Sequence, residues 1–383
     1  MSAPRVLFYV QHLLGIGHLA RASRIVRALA DDGFSVTLVT GGMPVEGFPG
    51  PGIDHVALPA IAVGDGGFSA LVDETGAVID DAFKRNRRDL LIAAYHAARP
   101  DIVIVEAFPF GRRQVRFELL PLLAAIEETT PRPLLMTSLR DILQERAKPG
   151  RDEETIDLVL KHFDRVLVHG DPDFVRLEDT FPLADAITDR VVYTGLVGGP
   201  AAEPSPERYD VVVSAGGGAV GAGLVEAALG AAARLKNAGR WLVITGPNLP
   251  QADFERFSGE AGDTVTLVRF RTDFRNLLAA ARLSVSQAGY NTVCDILEAG
   301  CGAVLVPFAS GGESEQTARA ERLERLGRAV LLPENTLSPE TMVEAVSHAL
   351  SAKTEKNVPL LQLDGANRTA KILRDLLKRR ETS

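Results

Sequence analysis

The chain has 383 residues, 46% of them hydrophobic and 24% charged, ordinary globular usage that excludes wholesale disorder. With 42 Lys and Arg against 50 Asp and Glu, the net charge is −8. Neither half is basic on balance, which argues against a dedicated nucleic-acid binder. The two cysteines, Cys294 and Cys301, are too few for a disulfide framework or a structural zinc site and suit a reducing compartment. No apolar run is long enough to span a bilayer. The opening MSAPRVLFYV lacks a basic segment followed by an apolar one, so no signal peptide is expected and the expected location is the cytoplasm.

In chain order, RVLFYVQ (5–11) reads as a buried strand, followed by LLGIGHLARA and a helix through Ala30. SVTLVT (35–40), DIVIVEAF (101–108), PLLMTS (133–138), RVLVHG (165–170) and RVVYTG (190–195) read as further strands. Apolar runs of this length separated by helices indicate a parallel sheet covered on both faces. The segment 59–100 is the least sheet-like part and is read as an insertion bordering an acceptor site. Its charge run KRNRR (84–88) is expected on a solvated helix face. The Pro- and Gly-rich stretch 196–209 reads as a linker. A second βα series follows, with strands at 209–218, 241–245, 264–270, 283–287 and 303–307. The expected organisation is therefore α/β, with Rossmann-like domains at 1–197 and 208–360. A last helix at 361–383 carries a narrow apolar stripe of Ile372, Leu373, Leu376 and Leu377.

Three segments carry the chemistry. In Gly15–His18 (GIGH), the glycines let the backbone turn and approach a ligand, and His18 opens the next helix at the carboxyl edge of the sheet. No acidic residue closes the second strand, so this is not a dinucleotide fingerprint. In SAGGGAVG (214–221), Gly216, Gly217 and Gly218 form a nest suited to phosphate, without the Lys-Ser/Thr of a P-loop. The third is SVSQAGYNTVCDILEAG (284–300) and the residues after it. Ala288, Gly289, Tyr290, Asn291 and Thr292 lead into a helix whose N-terminus can hold a diphosphate, and Asp295, one turn on, can accept ribose hydroxyls. The loop after Pro307-Phe308 ends at Glu313, Glu315 and Gln316, groups able to fix sugar hydroxyls.

The block from Gly289 to Gly327 resembles the C-terminal domain of glycosyltransferase family 28, the family of the lipid II-forming N-acetylglucosamine transferase. The matching residues are Ala288, Gly289, Asn291, Thr292, Asp295, Val306, Pro307, Phe308, Glu315 and Gln316. GGGAVG and GIGH are similar to that family's glycine loops. The resemblance implies a GT-B fold: two Rossmann-like domains facing a cleft, donor in the second, acceptor in the first, with the last helix crossing back to the first domain. It places the family's backbone contact to the donor base at Phe270. The chain departs from the lipid II enzyme where Asp295 replaces a longer glutamate and Glu315 replaces a glutamine, which leaves the sugar open. EAFPFGRR (106–113) and SLRDIL (138–143) do not match it, so its acceptor is not implied.

The function expected is an inverting, metal-independent hexosyltransferase using a nucleotide-diphosphate sugar, with UDP as the expected nucleotide and no cofactor. A sugar-nucleotide 2-epimerase and a non-catalytic nucleotide-sugar binder are the alternatives. A base must deprotonate the acceptor hydroxyl. His18, Asp141 and Glu106 lie at strand ends and rank in that order, because histidine is closest to neutral pKa. Gly15, Gly17, Phe108 and Arg112 are expected on the acceptor side. The acceptor is a glycan, a lipid-linked sugar or a small molecule. Lys84, Arg85, Arg87, Arg88, Arg112 and Arg113 form a candidate patch for weak contact with the inner face of a membrane.

Overall fold

The computed structural model describes residues 3–13, 15–64, 67–144, 149–216, 221–309, 313–352 and 360–382. The chain divides into two compact units: Met1–Val197 with Asp364–Ser383, and Gly198–Leu363.

The first unit begins with β1 (Arg5–Val10), α1 (Gly17–Asp31), β2 (Ser35–Thr40) and β3 (Asp54–Ala57). An antiparallel hairpin of β4 (Ala62–Gly64) and β5 (Gly67–Val72) comes next, then α2 (Asp81–Ala98), β6 (Ile102–Glu106), α3 (Arg116–Glu128) and β7 (Leu134–Arg140). The series closes with α4 (Arg151–His162), β8 (Arg165–His169) and β9 (Val191–Tyr193). All seven sheet strands are parallel, in the order β3-β2-β1-β6-β7-β8-β9. Successive strand residues face opposite sides. Leu7, Tyr9, Val103 and Val105 join one core with Leu91 of α2 and Leu119 and Leu122 of α3. Phe8 and Ile104, equally buried, point the other way. Both faces are therefore covered, which is why these strands read as continuous apolar runs.

The second unit comprises β10 (Val211–Ser214), α5 (Ala222–Arg234), β11 (Trp241–Ile244), α6 (Gln251–Glu260), β12 (Val265–Val268), α7 (Phe274–Ala280) and β13 (Leu283–Ser286). It ends with α8 (Tyr290–Ala299), β14 (Gly302–Leu305), α9 (Glu315–Arg325), β15 (Val330–Leu331) and α10 (Pro339–Ser351). Its sheet runs β12-β11-β10-β13-β14-β15, all parallel. Both sheets thus reverse direction beside their first strand, at β1/β6 and β10/β13. Open α/β sheets place ligands at the carboxyl ends of such strands.

The last helix, α11 (Gly365–Glu381), packs on α1 in the first unit. Arg374 pairs with Asp32 at 2.7 Å and lies 4.9 Å from the Phe34 ring centroid.

The linker and the KRNRR run have partners that the sequence did not show. The stretch 198–207 is bonded to α7: Arg275 donates to the Pro200 carbonyl, Asn276 Nδ2 to Glu203 at 2.7 Å, and Ser205 N to the Asn276 carbonyl at 2.9 Å. Proline and glycine set its backbone, but α7 supplies its partners. The KRNRR run is not wholly solvated either. Arg87 is fully buried and donates to both oxygens of buried Glu118, at 2.8 and 2.7 Å. Of the candidate membrane patch, Lys84 pairs with Asp81, Arg88 with Asp89 and Arg113 with Glu154, Arg85 is exposed, and Arg112 turns onto a carbonyl. Among the described residues no helix is long and apolar enough to cross a membrane.

Candidate functional site

At the edge of the first sheet, the chain leaves β1 and enters α1 at Gly17, so His18 sits in the first turn of that helix. Glu106 is the last residue of β6. The two strands are neighbours, and His18 Nδ1 lies 3.0 Å from Glu106 Oε1. Arg21, nearly one turn along α1, donates to the same oxygen. Ser138 of β7 donates to the other oxygen. Behind it, His169 Nε2 lies 3.0 Å from Ser138 Oγ and His169 Nδ1 lies 2.8 Å from Thr194 Oγ1.

One proton assignment satisfies this chain. The Ser138 hydroxyl has a single hydrogen and the carboxylate takes it. His169 Nε2–H then donates to Ser138, and the Thr194 hydroxyl lies between His169 Nδ1, at 2.8 Å, and the Gly195 carbonyl, at 3.0 Å. At the other end His18 Nδ1–H donates to Glu106. That leaves the lone pair on His18 Nε2, which has no hydrogen-bond partner among the described residues.

The electrostatics follow from burial and charge. Burial pushes the Glu106 carboxyl up, but Arg21, His18 and Ser138 outweigh it and hold it below the usual carboxylate range. Burial and the Arg112 and Arg21 guanidinia depress His18 to about 3, against the opposing pull of Glu106. Burial likewise holds His169 near 3. His18 is 18% exposed, whereas Glu106 and His169 are sealed.

These positions sort the three base candidates. Glu106 has no exposed surface, and both its oxygens are hydrogen-bonded, one to His18 and Arg21 and the other to Ser138. Asp141, after β7, is also sealed and accepts from Ile142 N at 2.8 Å, which fits a turn-holding group. His18 alone of the three keeps exposed surface. Phe108 is 1% exposed and belongs to the core, so it offers no acceptor surface. Gly15 is exposed and Gly17 half-buried beside His18.

Arg112 adopts a left-handed backbone, φ 58°, and so does Ala107, φ 63°, in the same loop after β6. Such conformations are uncommon outside glycine and persist where the surroundings enforce them. Arg112 Nε donates to the Gln11 carbonyl at 2.7 Å, tying the β6 loop to the β1 loop. Arg87 holds the Gln11 side chain at 3.0 Å and the Gly41 carbonyl at 3.0 Å. Sequence reasoning missed this strut because nothing local marks Arg87 or Glu118 as a buried pair. Sequence reasoning also passed over Asp171-Pro172-Asp173, which has Asp-x-Asp spacing after β8. Asp171 is buried and accepts from Asp173 N at 3.0 Å, closing a turn. Among the described residues no group of three His, Cys, Asp or Glu is placed to hold a metal ion.

The edge of the second sheet is built differently. After β10 the chain turns at Gly216 with φ 78°, and a Cβ there would lie 2.8 Å from Gln287 Oε1. Gly217 and Gly218 lie outside the described residues. After β13, Gly289 caps α8 without a side-chain bond, so the amides of Tyr290, Asn291 and Thr292 form the helix's first turn. Asp295 is 8% exposed, and its Oδ1 lies 3.3 Å from Arg275 Nε. Tyr290 is buried beneath Arg319, whose Cζ is 5.8 Å from the ring centroid.

Two expected sugar contacts have structural partners. Glu315 is 3% exposed and pairs with buried Arg319 at 2.6 Å, and Arg319 in turn donates to the Ala288 carbonyl at 2.8 Å. Its carboxylate thus braces the α8 entry. Gln316 Oε1 accepts from Phe308 N at 3.2 Å. Phe270 lies two residues beyond β12 and is 64% exposed. A cavity of about 370 Å³ opens between α5 and the loop before α10, lined in part by Gly223, Glu226, Gln287, Val306 and Glu334. Asp295 and Gln316 are not among its walls.

Residues 211–372 match the glycosyltransferase family 28 C-terminal domain. The UDP-N-acetylglucosamine–N-acetylmuramyl-(pentapeptide) pyrophosphoryl-undecaprenol N-acetylglucosamine transferase of Nitrosococcus oceani is 41% identical over 86 residues, 22% of this chain and 24% of that protein. The like-named enzyme of Thermotoga neapolitana is 29% identical over 185 residues, 48% of this chain and 52% of that protein. The chain thus spans between about a quarter and a half of the length of these relatives. Among solved structures, Acinetobacter baumannii MurG aligns over 97% of this chain and 100% of its own, with TM-score 0.60 and 16% identity. The glycosyltransferase VinC, solved with dTDP, aligns over 99% and 100%, with TM-score 0.63 and 15% identity. The fold is that of GT-B glycosyltransferases.

Proposed function

We propose that this chain, whose second unit is a glycosyltransferase family 28 C-terminal domain, transfers a hexosyl group from a nucleotide-diphosphate sugar to an acceptor hydroxyl, with inversion and without a metal ion. The relatives are named for a UDP-sugar donor, and UDP is the nucleotide proposed here. The observation that carries the reading is the His18–Glu106 pair at the switch point of the first sheet. Glu106 fixes the tautomer, so Nε2 presents a lone pair to an acceptor hydroxyl.

As the new glycosidic bond forms at the anomeric carbon, the hydroxyl proton passes to Nε2 and the bond to the diphosphate breaks from the opposite side. Glu106 stabilises the imidazolium that results. The depressed pKa keeps His18 neutral throughout the neutral range but also makes Nε2 a weak base, so Glu106 has to carry the stabilisation of the imidazolium as the proton arrives. The α8 amides and the turn at Gly216 hold the departing diphosphate, doing by preorganised dipoles what a cation does elsewhere. Asp295, in the second turn of α8, accepts ribose hydroxyls, and Gln316 offers its amide NH₂ to the sugar. In this reading the protein acts in the cytoplasm, and its acceptor is taken by the first unit.

The test is turnover of UDP-sugars against an acceptor panel by wild-type protein and His18→Ala. Loss of a general base costs about 10²–10⁴-fold in rate. UDP affinity is expected to stay within twofold, because His18 belongs to the other unit. A His18→Ala protein with unchanged turnover sinks the assignment. A new sugar nucleotide formed without any acceptor would instead establish an epimerase.

A further inference from the structure

Among the described residues of the first unit, Arg21 and Arg87 are buried and Arg112 is half-buried, and the three are not treated alike. Arg21 is 2% exposed and meets Glu106; Arg87 is sealed and meets Glu118. Arg112 is half-buried, yet its one hydrogen bond among the described residues is Nε to the Gln11 carbonyl. No carboxylate pairs with it there, and both terminal nitrogens are left for something else. Burial draws its pKa down to about 10, and nearby Arg140 adds to that, with Glu106 opposing. Partly desolvating a cation without a paired anion is unfavourable, and folded proteins generally avoid it.

The backbone makes the placement deliberate. Arg112 and Ala107, two of the three non-glycine residues with positive φ among the described residues, lie in one six-residue loop. That loop follows Glu106 directly, and its Arg112 is bonded to the loop that leads to His18. The guanidinium therefore spans the two loops that bring His18 and Glu106 together, and its charge is felt by His18.

We infer that Arg112 is a binding site for an oxyanion carried by the acceptor, a phosphate or a carboxylate near its reacting hydroxyl. A planar guanidinium with two free N–H-bearing nitrogens matches either group bidentately. An anion there also opposes the charge of Arg112 on His18 and makes Nε2 more basic once the acceptor is bound. The substrate class is thus an anionic glycosyl acceptor, which rests on the glycosyltransferase reading. The binding itself does not require that reading.

The experiment titrates the full chain with inorganic phosphate and, separately, with sodium acetate at pH 7. Sodium chloride at matched ionic strength is the control, and the signal is the ring resonances of His18. Half the samples contain UDP, so that a second-unit diphosphate site is occupied. Wild type is expected to show saturable perturbation of His18 by at least one of the two anions, UDP present or absent. Phosphate alone marks a phosphoester acceptor, and acetate alone or equally marks a carboxylate. Arg112→Gln is expected to weaken that binding at least about tenfold, the loss of a charged hydrogen bond. Arg112→Lys is expected to retain part of it. If neither anion moves His18 beyond the chloride control, or if Arg112→Gln binds as wild type does, the inference is overturned. If UDP fails to bind while the anion response is intact, it is the glycosyltransferase reading that fails.

Discussion

The two sheet edges share one topology and use opposite means. At the first, side chains do the positioning: His18, Arg21, Glu106, Ser138, His169 and Thr194 form a continuous hydrogen-bonded line across α1, three strands and the residue after β9. At the second, backbone does it: Gly216 turns left-handed and α8 begins with no side-chain cap. The side chains there, Glu315 and Arg319, brace from behind by holding the Ala288 carbonyl. A buried line of polar groups holds one proton-accepting atom in a fixed direction, but every member must be satisfied. An array of amides accepts an anion of any source and tolerates changes in the side chains around it. The difference matches a proton acceptor at one edge and a diphosphate cradle at the other.

The largest expected effect breaks the first edge. Glu106→Gln removes the anion beside buried Arg21 and is expected to cost about 3–5 kcal/mol of first-unit stability. Urea unfolding measures it, and adding Arg21→Met is expected to restore part of the loss, since the stranded charge goes with it. If Glu106→Gln is as stable as wild type, the line is not a buried ionic network.

Next comes Asp295→Ala, the one carboxylate on which the second edge is proposed to rely. Titration calorimetry is expected to show UDP binding weakened by about 1.5–3 kcal/mol. Unchanged affinity would reduce Asp295 to a partner of Arg275 and make the second edge purely backbone.

Acidity distinguishes the edges as well. His18 and His169 are held near 3, below the 6.5 of an unfolded histidine. Between those values the unfolded chain binds protons that the folded chain refuses, so stability falls as pH falls from about 6.5 towards 3. The slope approaches about 1.4 kcal/mol per pH unit for each such histidine. Glu106, also depressed, acts in the same direction. Hydrogen exchange in β6 and β8 between pH 7 and 5 is expected to show this loss, and His169→Gln is expected to flatten it. Among the described residues the second edge holds no buried histidine, and β10 and β13 are expected to show little change.

The smallest effect concerns the cradle's turn. Gly216→Ala places a Cβ on a left-handed residue and is expected to destabilise the second unit by about 1 kcal/mol. The contact itself is with the end of a movable Gln287 side chain. Trp241, buried in β11, gives the fluorescence readout. No loss of stability would mean the turn is not held left-handed in solution.

Much was legible in the sequence. Two βα series, the start of α8, the Gly15–His18 turn and the family 28 block all follow from local signals: apolar runs, glycines at strand ends and helix-opening residues. A strand buried on both faces has to be continuously apolar, and a backbone that approaches a phosphate has to be small, so these features are written where they occur. The short strands β3 and β15 were missed because edge strands need few apolar residues. Tertiary structure alone decided the roles of the charged residues. Glu106 looked like a base until Arg21 and Ser138, 85 and 32 residues away, occupied its oxygens. Arg87 looked solvated until Glu118 paired with it, and Arg112 looked like its basic neighbours until it proved to lack a carboxylate. A charge's function depends on which opposite charge and how much water surround it, and the fold draws both from residues far apart in the chain.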